Sequence, residues 1–257
     1  LYIDIVSIVV KAFANVPTKH AVTLHTAFSQ EDYRGKENLK KIYTHTCTWL
    51  YPRADHIVAV SNAVAKDSQE YFKLKKPIKV IYNPVVTPAL YNKSSAEVAH
   101  PFYANKSAPI LLAIGRLSAQ KDFSTLLKAF AELRKTQPVK LLLLGEGEER
   151  PLLETLAKDL NLGDDLSMPG FVDNPYPYIK NADLLVSSSA WEGLPTVMIE
   201  ALALGTPVVA TDCPGGSGEI LGGGEYGKLV EMRNPTALAE SILETLYTSV
   251  DKNKLQA

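Results

Sequence analysis

Short runs of Leu, Val and Ile recur along this chain without alternating with polar residues, and amphipathic stretches separate them. Ile110–Ile114, Val139–Leu144, Leu184–Ser187 and Pro207–Thr211 are the clearest. A strand with one wet face alternates, whereas a strand covered on both faces does not. The pattern therefore predicts βαβ units with parallel sheets, an α/β fold. Further strands are expected at His20–Leu24, His56–Val60, Ile78–Tyr82, Leu166–Met168 and Lys228–Val230. Helices are expected at Glu37–Tyr51, Asn62–Phe72 with Ser61 as N-cap, Ser124–Arg134, Leu152–Leu160, Pro195–Leu204 and Thr236–Tyr247. Leu1–Phe13, apolar but broken by Asp4, Ser7 and Lys11, reads as a packed helix. Asn83–Pro109 holds four prolines and no sustained period. We therefore expect a first domain over residues 1–88, a linker over 89–106 and a second domain over 107–257.

Composition narrows the function classes. With 46% hydrophobic and 21% charged residues among 257, the chain can bury a sizeable core. Its two cysteines, Cys47 and Cys213, argue against a disulfide framework or a zinc cluster and suit a reducing cytoplasm. No apolar run reaches the ~18–20 residues that cross a bilayer. Net charge is −1 but uneven: residues 1–90 hold 12 basic and 7 acidic residues, and the remainder holds 15 and 21. The basic early part, with Arg34, Lys36, Lys40, Lys41, Lys73, Lys75 and Lys76, predicts a peripheral contact with an anionic membrane. Solvated helix faces that happen to differ explain the same asymmetry.

In an open parallel sheet, ligands sit beyond the carboxyl ends of the strands. After Ile110–Ile114 come Gly115, Arg116 and then Lys121, two cations beside a glycine that allows close backbone approach, which suits a diphosphate. After Leu184–Ser187 comes Trp191-Glu192-Gly193-Leu194-Pro195-Thr196, opening a helix that carries Glu200. Pro195 suits the first helical position. The backbone N–H groups of Gly193, Leu194 and Thr196 would point from that helix terminus toward an anion. At ~1.5 Å rise per residue, Glu192 and Glu200 lie roughly 8–10 Å apart along the axis, so they would bracket a phosphate rather than share one centre.

Glu192 and Glu200, with Gly193 and Pro195 between them, resemble the E-x7-E motif of retaining glycosyltransferase family 4, which has the GT-B fold. Gly115-Arg116-Leu117 with Lys121-Asp122 resembles that family's diphosphate-holding segment, and Leu144-Gly145-Glu146-Gly147 its L-x-G-x-G turn. Gly170-Phe171-Val172 resembles the segment whose backbone lines the base pocket, and Thr211–Leu221 the loop beyond the next strand. Val22-Thr23-Leu24-His25-Thr26 looks like the strand end that carries a histidine facing the donor's sugar. The resemblance implies two Rossmann-like domains, the first incomplete and the second nearly complete. Residues 1–90 show no glycine-rich loop after a first strand and fewer strands than the family's first domain, which predicts an N-terminally truncated member.

What the resemblance implies for chemistry is transfer of a sugar, UDP-linked, to an acceptor hydroxyl with retention, in bacterial polysaccharide, lipid-linked glycan or glycolipid synthesis. Arg116, Lys121, Glu192 and His25 would be the catalytic group. Gly115, Gly145, Phe171, Val172, Gly193, Leu194, Pro195, Thr196 and Glu200 would complete the donor site. No D-x-D occurs, so no metal and no cofactor beyond the donor is expected. The expected partners are the nucleotide-sugar donor and a glycan or lipid-linked acceptor, with no nucleic acid, in the cytoplasm or on the inner face of the cell membrane. A catalytically incomplete relative that only senses nucleotide sugar would keep the same binding residues. A dinucleotide-binding domain would need later glycines that Ser118-Ala119-Gln120-Lys121 lacks.

Overall fold

The computed structural model describes residues 2–14, 16–30, 37–104 and 106–248. The chain divides into two compact units. One comprises residues 1–83 with 192–194 and 214–219; the other comprises 84–191, 195–213 and 220–257.

The first unit holds a parallel three-stranded sheet of β1 (Ala21–Leu24), β2 (His56–Ala59) and β3 (Lys79–Val80), in the order β1-β2-β3. Helices Glu37–Leu50 and Asn62–Tyr71 accompany it. Their core gathers Val22, Leu24, Ile57 and Ala59 with Phe28, Tyr51 and Phe72. The rings of Phe28, Tyr43, Tyr51 and Tyr71 all meet that of Phe72 edge-on, an arrangement that adds to plain area burial. Ser61 caps helix Asn62–Tyr71 as expected, its hydroxyl accepting from Val64 N at 3.2 Å. The helix expected over Leu1–Phe13 is present as Tyr2–Ala14 and packs on this core through Ile8 and Ile5, while Ile3 and Phe13 are 80% and 87% exposed. Apolar residues surround this helix on more sides than the core covers.

The second unit is built on six parallel strands: β4 (Ile110–Ile114), β5 (Lys140–Leu144), β6 (Leu166–Gly170), β7 (Leu184–Ser187), β8 (Val208–Thr211) and β9 (Lys228–Val230). Their order is β6-β5-β4-β7-β8-β9, the doubly wound arrangement in which the sheet reverses direction of growth between its first and fourth strands. Period-two side-chain alternation splits the strands between two cores. Leu111, Ala113, Leu141 and Leu143 pack with helices Phe123–Leu133 and Pro235–Tyr247 on one face. Ile110, Leu112, Leu142 and Leu144 pack with helix Thr196–Ala203 on the other. Continuous aliphatic runs are thus buried on both sides, each full Leu burial contributing about 1.5–3 kcal/mol.

Several details depart from the sequence expectation. Pro195 is not in the helix: at φ −71°, ψ 88° it caps a helix that starts at Thr196. Within the proline-rich stretch, Pro88–Ser94 and Pro101–Ala104 are helical. Tyr176–Asn181 is a further helix that the sequence did not suggest. In all three, proline occupies the first turn, where its missing N–H costs nothing.

Candidate donor site

The strand order directs attention to the carboxyl ends of β4 and β7, the switch point of the sheet. The chain leaves β4 through Gly115 and Arg116 and leaves β5 through Gly145 and Glu146. These two exits approach backbone to backbone. A Cβ on Gly145, whose φ is +136°, would lie 1.9 Å from Gly115 O, and one on Gly147 would lie 2.2 Å from Leu117 O. Hydrogen bonds from Gly115 N to Leu144 O (3.0 Å), Leu117 N to Glu146 O (2.9 Å) and Glu149 N to Leu117 O (2.9 Å) stitch them together. Gly145 N donates in turn to Gly170 O at 2.8 Å, bringing in the end of β6.

A cleft of about 500 Å³ opens over this junction, lined by Gly115, Arg116, Gly145, Glu146, Phe171 and Val172 among others. Phe171 is 74% exposed at its rim. A cavity of similar size, near Lys158 and Leu166, lies toward the start of the edge strand β6. It lies away from the carboxyl ends of β4 and β7, where an open parallel sheet places its ligands, so we place the site at the first.

Arg116 is exposed and paired with Glu148, Nη2 to Oε2 at 3.0 Å and Nε to Oε2 at 3.1 Å. The stem of Lys121 runs alongside Gly115, where a Cβ would lie 2.9 Å from Lys121 Cε. Glycine here therefore makes room for a side chain. Beyond Lys121, Asp122 adopts a left-handed φ of 44° and caps helix Phe123–Leu133, its carboxylate accepting from Thr125 N and Oγ1.

Gln120 is a residue that sequence reasoning passed over. Its backbone O accepts from Ala190 N (2.8 Å), and its Nε2 donates to Trp191 O (3.0 Å). Ser188 Oγ donates to Lys121 O at 2.8 Å. The exits of β4 and β7 are therefore held together across the switch point. No local pattern signals these contacts, because the partners stand some 70 positions apart.

Glu200 sits on helix Thr196–Ala203, half-buried, and burial pushes its carboxyl above the ordinary range. Tyr176, next to the cleft residue Pro175, has its hydroxyl raised by burial and then by the charge of Glu200. The carboxylate is thus within electrostatic reach of the cleft's edge.

His25, Glu192, Gly193 and Leu194 belong to the first unit. Gly193 rests against the chain just after β1: a Cβ there would lie 1.9 Å from His25 O. Gly193 O accepts from Ser61 Oγ (3.1 Å) and Gly216 N (2.9 Å). Glu192 is buried, its N donating to Pro214 O at 2.8 Å. The structure thus gathers Gly115, Arg116, Gly145, Phe171 and Val172 around one cleft, and His25 with Gly193 in the other unit.

A family profile described as "Glycosyl transferases group 1" matches residues 97–256, and one described as "Glycosyltransferase Family 4" matches residues 3–87. One relative, from Campylobacter jejuni, is named N-acetylgalactosamine-N,N'-diacetylbacillosaminyl-diphospho-undecaprenol 4-alpha-N-acetylgalactosaminyltransferase. It is 32% identical over 208 residues, 80% of this chain and 54% of its own length. A lipopolysaccharide core biosynthesis glycosyltransferase of Rhizobium meliloti is 31% identical, covering 82% of this chain and 60% of its own length. The chain thus spans between about half and three-fifths of these two relatives. Among solved structures, Anabaena HepE in complex with UDP and glucose superposes with a TM-score of 0.76 at 22% identity, covering 98% of this chain and 67% of that one. Sucrose-phosphate synthase from Thermosynechococcus elongatus does so at 0.77 and 23%, covering 96% and 62%. With its doubly wound second unit and the profile match spanning most of the chain, the protein belongs to the group 1 glycosyl transferases, with a family 4 domain in its first part and the GT-B fold.

Proposed function

We propose that this protein transfers a sugar from a UDP-sugar to a hydroxyl of a glycan or lipid-linked acceptor, with retention at the anomeric carbon. The observation that carries this reading is Arg116 at the mouth of a cleft that opens over the carboxyl ends of β4, β5 and β6. The base would lie against the backbone of Phe171 and Val172, and Glu200 would take the ribose hydroxyls. Arg116 and Lys121 would hold the diphosphate. Negative charge develops there as the glycosidic bond breaks, and stabilising developing charge is usually the largest catalytic contribution.

No carboxylate is assigned as covalent nucleophile, since a double displacement needs two carboxyl groups placed around the anomeric carbon. The leaving phosphate itself would accept the acceptor's proton. Glu192 and His25, which the family resemblance assigns to the sugar end of the donor, are the positions whose loss should lower turnover more than nucleotide affinity. UDP found with HepE supports the choice of base by analogy of fold.

A membrane-bound acceptor would suit the basic early part. No helix among the described residues is long and apolar enough to cross a membrane. Arg34 and Lys36 lie outside the described residues. Lys41, Lys73 and Lys75 are exposed, while Lys76 donates to Pro52 O and Ala54 O. Sedimentation with anionic vesicles at low and high salt tests the contact; no binding at low salt rejects it.

Calorimetric titration with UDP, GDP and ADP, with and without Mg²⁺, tests the main reading. Saturable binding of one diphosphate that is lost in Arg116→Ala supports it, and absence of binding by all three rejects it. Binding without measurable turnover on any UDP-sugar would favour a nucleotide-sugar sensor.

A further inference from the structure

We propose that Glu148 is a built-in counter-ion that competes with the donor's diphosphate for Arg116 and so sets how tightly the cleft holds a nucleoside diphosphate. This rests on the reading of Arg116 as a phosphate ligand.

The geometry comes first. Arg116 presents its Nε and Nη2 donors to a single oxygen, Oε2 of Glu148, at 3.1 Å and 3.0 Å. A guanidinium binds carboxylate and phosphate through the same planar edge. A phosphate oxygen arriving at that edge must therefore displace the carboxylate or share with it.

The pairing is fixed by the backbone rather than by two flexible side chains finding each other. Arg116 and Glu148 stand on neighbouring strand exits joined by Leu117 N to Glu146 O and Glu149 N to Leu117 O, hydrogen bonds of 2.9 Å on either side of Glu148. Gly147 lets the two exits approach so closely that no side chain could stand between them. The neighbouring acid Glu146 is not an alternative partner, because Arg150 holds both its oxygens, each at 2.7 Å. Glu148 stays anionic near neutrality, since its own backbone N–H and then Arg116 hold its carboxyl below the usual range.

The pair is also weak enough to yield. The two side chains are 72% and 58% exposed, and a water-exposed pair is held only weakly. Glu148 would therefore lower diphosphate affinity by about two- to fivefold without blocking it. Such a counter-ion eases release of the diphosphate product, whose charge outlasts the transfer. An opposite reading, in which Glu148 only orients Arg116, predicts that its removal weakens binding.

The test is titration of the intact chain and its Glu148→Gln, Glu148→Ala and Arg116→Ala variants. The probes are uridine and whichever of UDP, GDP and ADP wild type holds tightest, at low and at high salt. We expect both Glu148 variants to bind the diphosphate about two- to fivefold more tightly at low salt, with the gain shrinking as salt screens the charges. Uridine affinity should not change. Unchanged or weaker diphosphate binding in the Glu148 variants, or equal tightening for uridine, overturns the proposal. If Arg116→Ala leaves diphosphate binding intact, the assignment of Arg116 fails, and the counter-ion role fails with it. Strong Arg116 dependence with no Glu148 effect sinks the counter-ion role alone.

Discussion

Gly145 and Gly115 meet so closely, at the ends of adjacent strands, that a single methyl group on Gly145 would sit 1.9 Å from the Gly115 carbonyl oxygen. Backbone cannot rotate aside as a side-chain tip can. Gly145→Ala must therefore push the two strand exits apart, besides straining a φ of +136°. We expect a loss of roughly 1–3 kcal/mol in stability and a larger proportional loss of nucleotide binding. Thermal unfolding and titration check both; a variant with wild-type affinity would show that the junction does not shape the cleft.

Arg116→Ala should weaken nucleoside diphosphate binding by about 10–100-fold, the scale of one or two charged hydrogen bonds, while uridine affinity is kept. Arg116→Lys should recover only part of it, because an ammonium keeps the charge but loses the planar fork. Full recovery by lysine would mean that charge alone matters at this position.

Burial raises the carboxyl of Glu200, so the folded chain binds that proton more tightly than the unfolded chain. Its contribution to stability is then fully present below the unfolded value of about 4.3 and is lost as pH rises through the raised folded value. Glu200→Gln should remove this loss, making the variant more stable relative to wild type at pH 7–8 than at pH 4. It should bind nucleoside less well. Melting curves across that range decide the matter, and a wild-type advantage that grows with pH would contradict it.

Ser61 is fully buried and has two tasks: its hydroxyl accepts from Val64 N and donates to Gly193 O. Ser61→Ala removes a helix cap, which typically costs ~1 kcal/mol, and leaves Gly193 O with one donor fewer. We expect about 1–2 kcal/mol in total, measured by denaturant unfolding. A change within error would mean that water replaces the hydroxyl.

What the sequence revealed, and what it hid, follows from the range of the interactions. Leu184–Ser187 was legible to the residue, because a strand buried on both faces reads as a near-continuous apolar run. Helix Phe123–Leu133 was legible from Leu126, Leu127, Phe130 and Leu133 on one side, all buried. Proline misled: read as a breaker across Asn83–Pro109, it concealed helix Pro88–Ser94, which begins with it. Gly115 and Arg116 could be named in advance from the end of a strand, and Gly145, Phe171 and Val172 from the family resemblance. Their immediate partners could not, since Glu148 opposite Arg116 and Gln120 against Trp191 depend on how separate exits are folded together.

The close backbone approach of the β4 and β5 exits at Gly145 and Gly147 has a consequence for redesign. No side chain fits at either position, so the two glycines behave as an invariant floor. The adjustable part of the pocket is the opposite wall, where Phe171 stands largely in solvent and constrains no core. On the proposed reading, a library aimed at changing which nucleobase is accepted should spend its diversity on Phe171 and keep the glycine floor untouched.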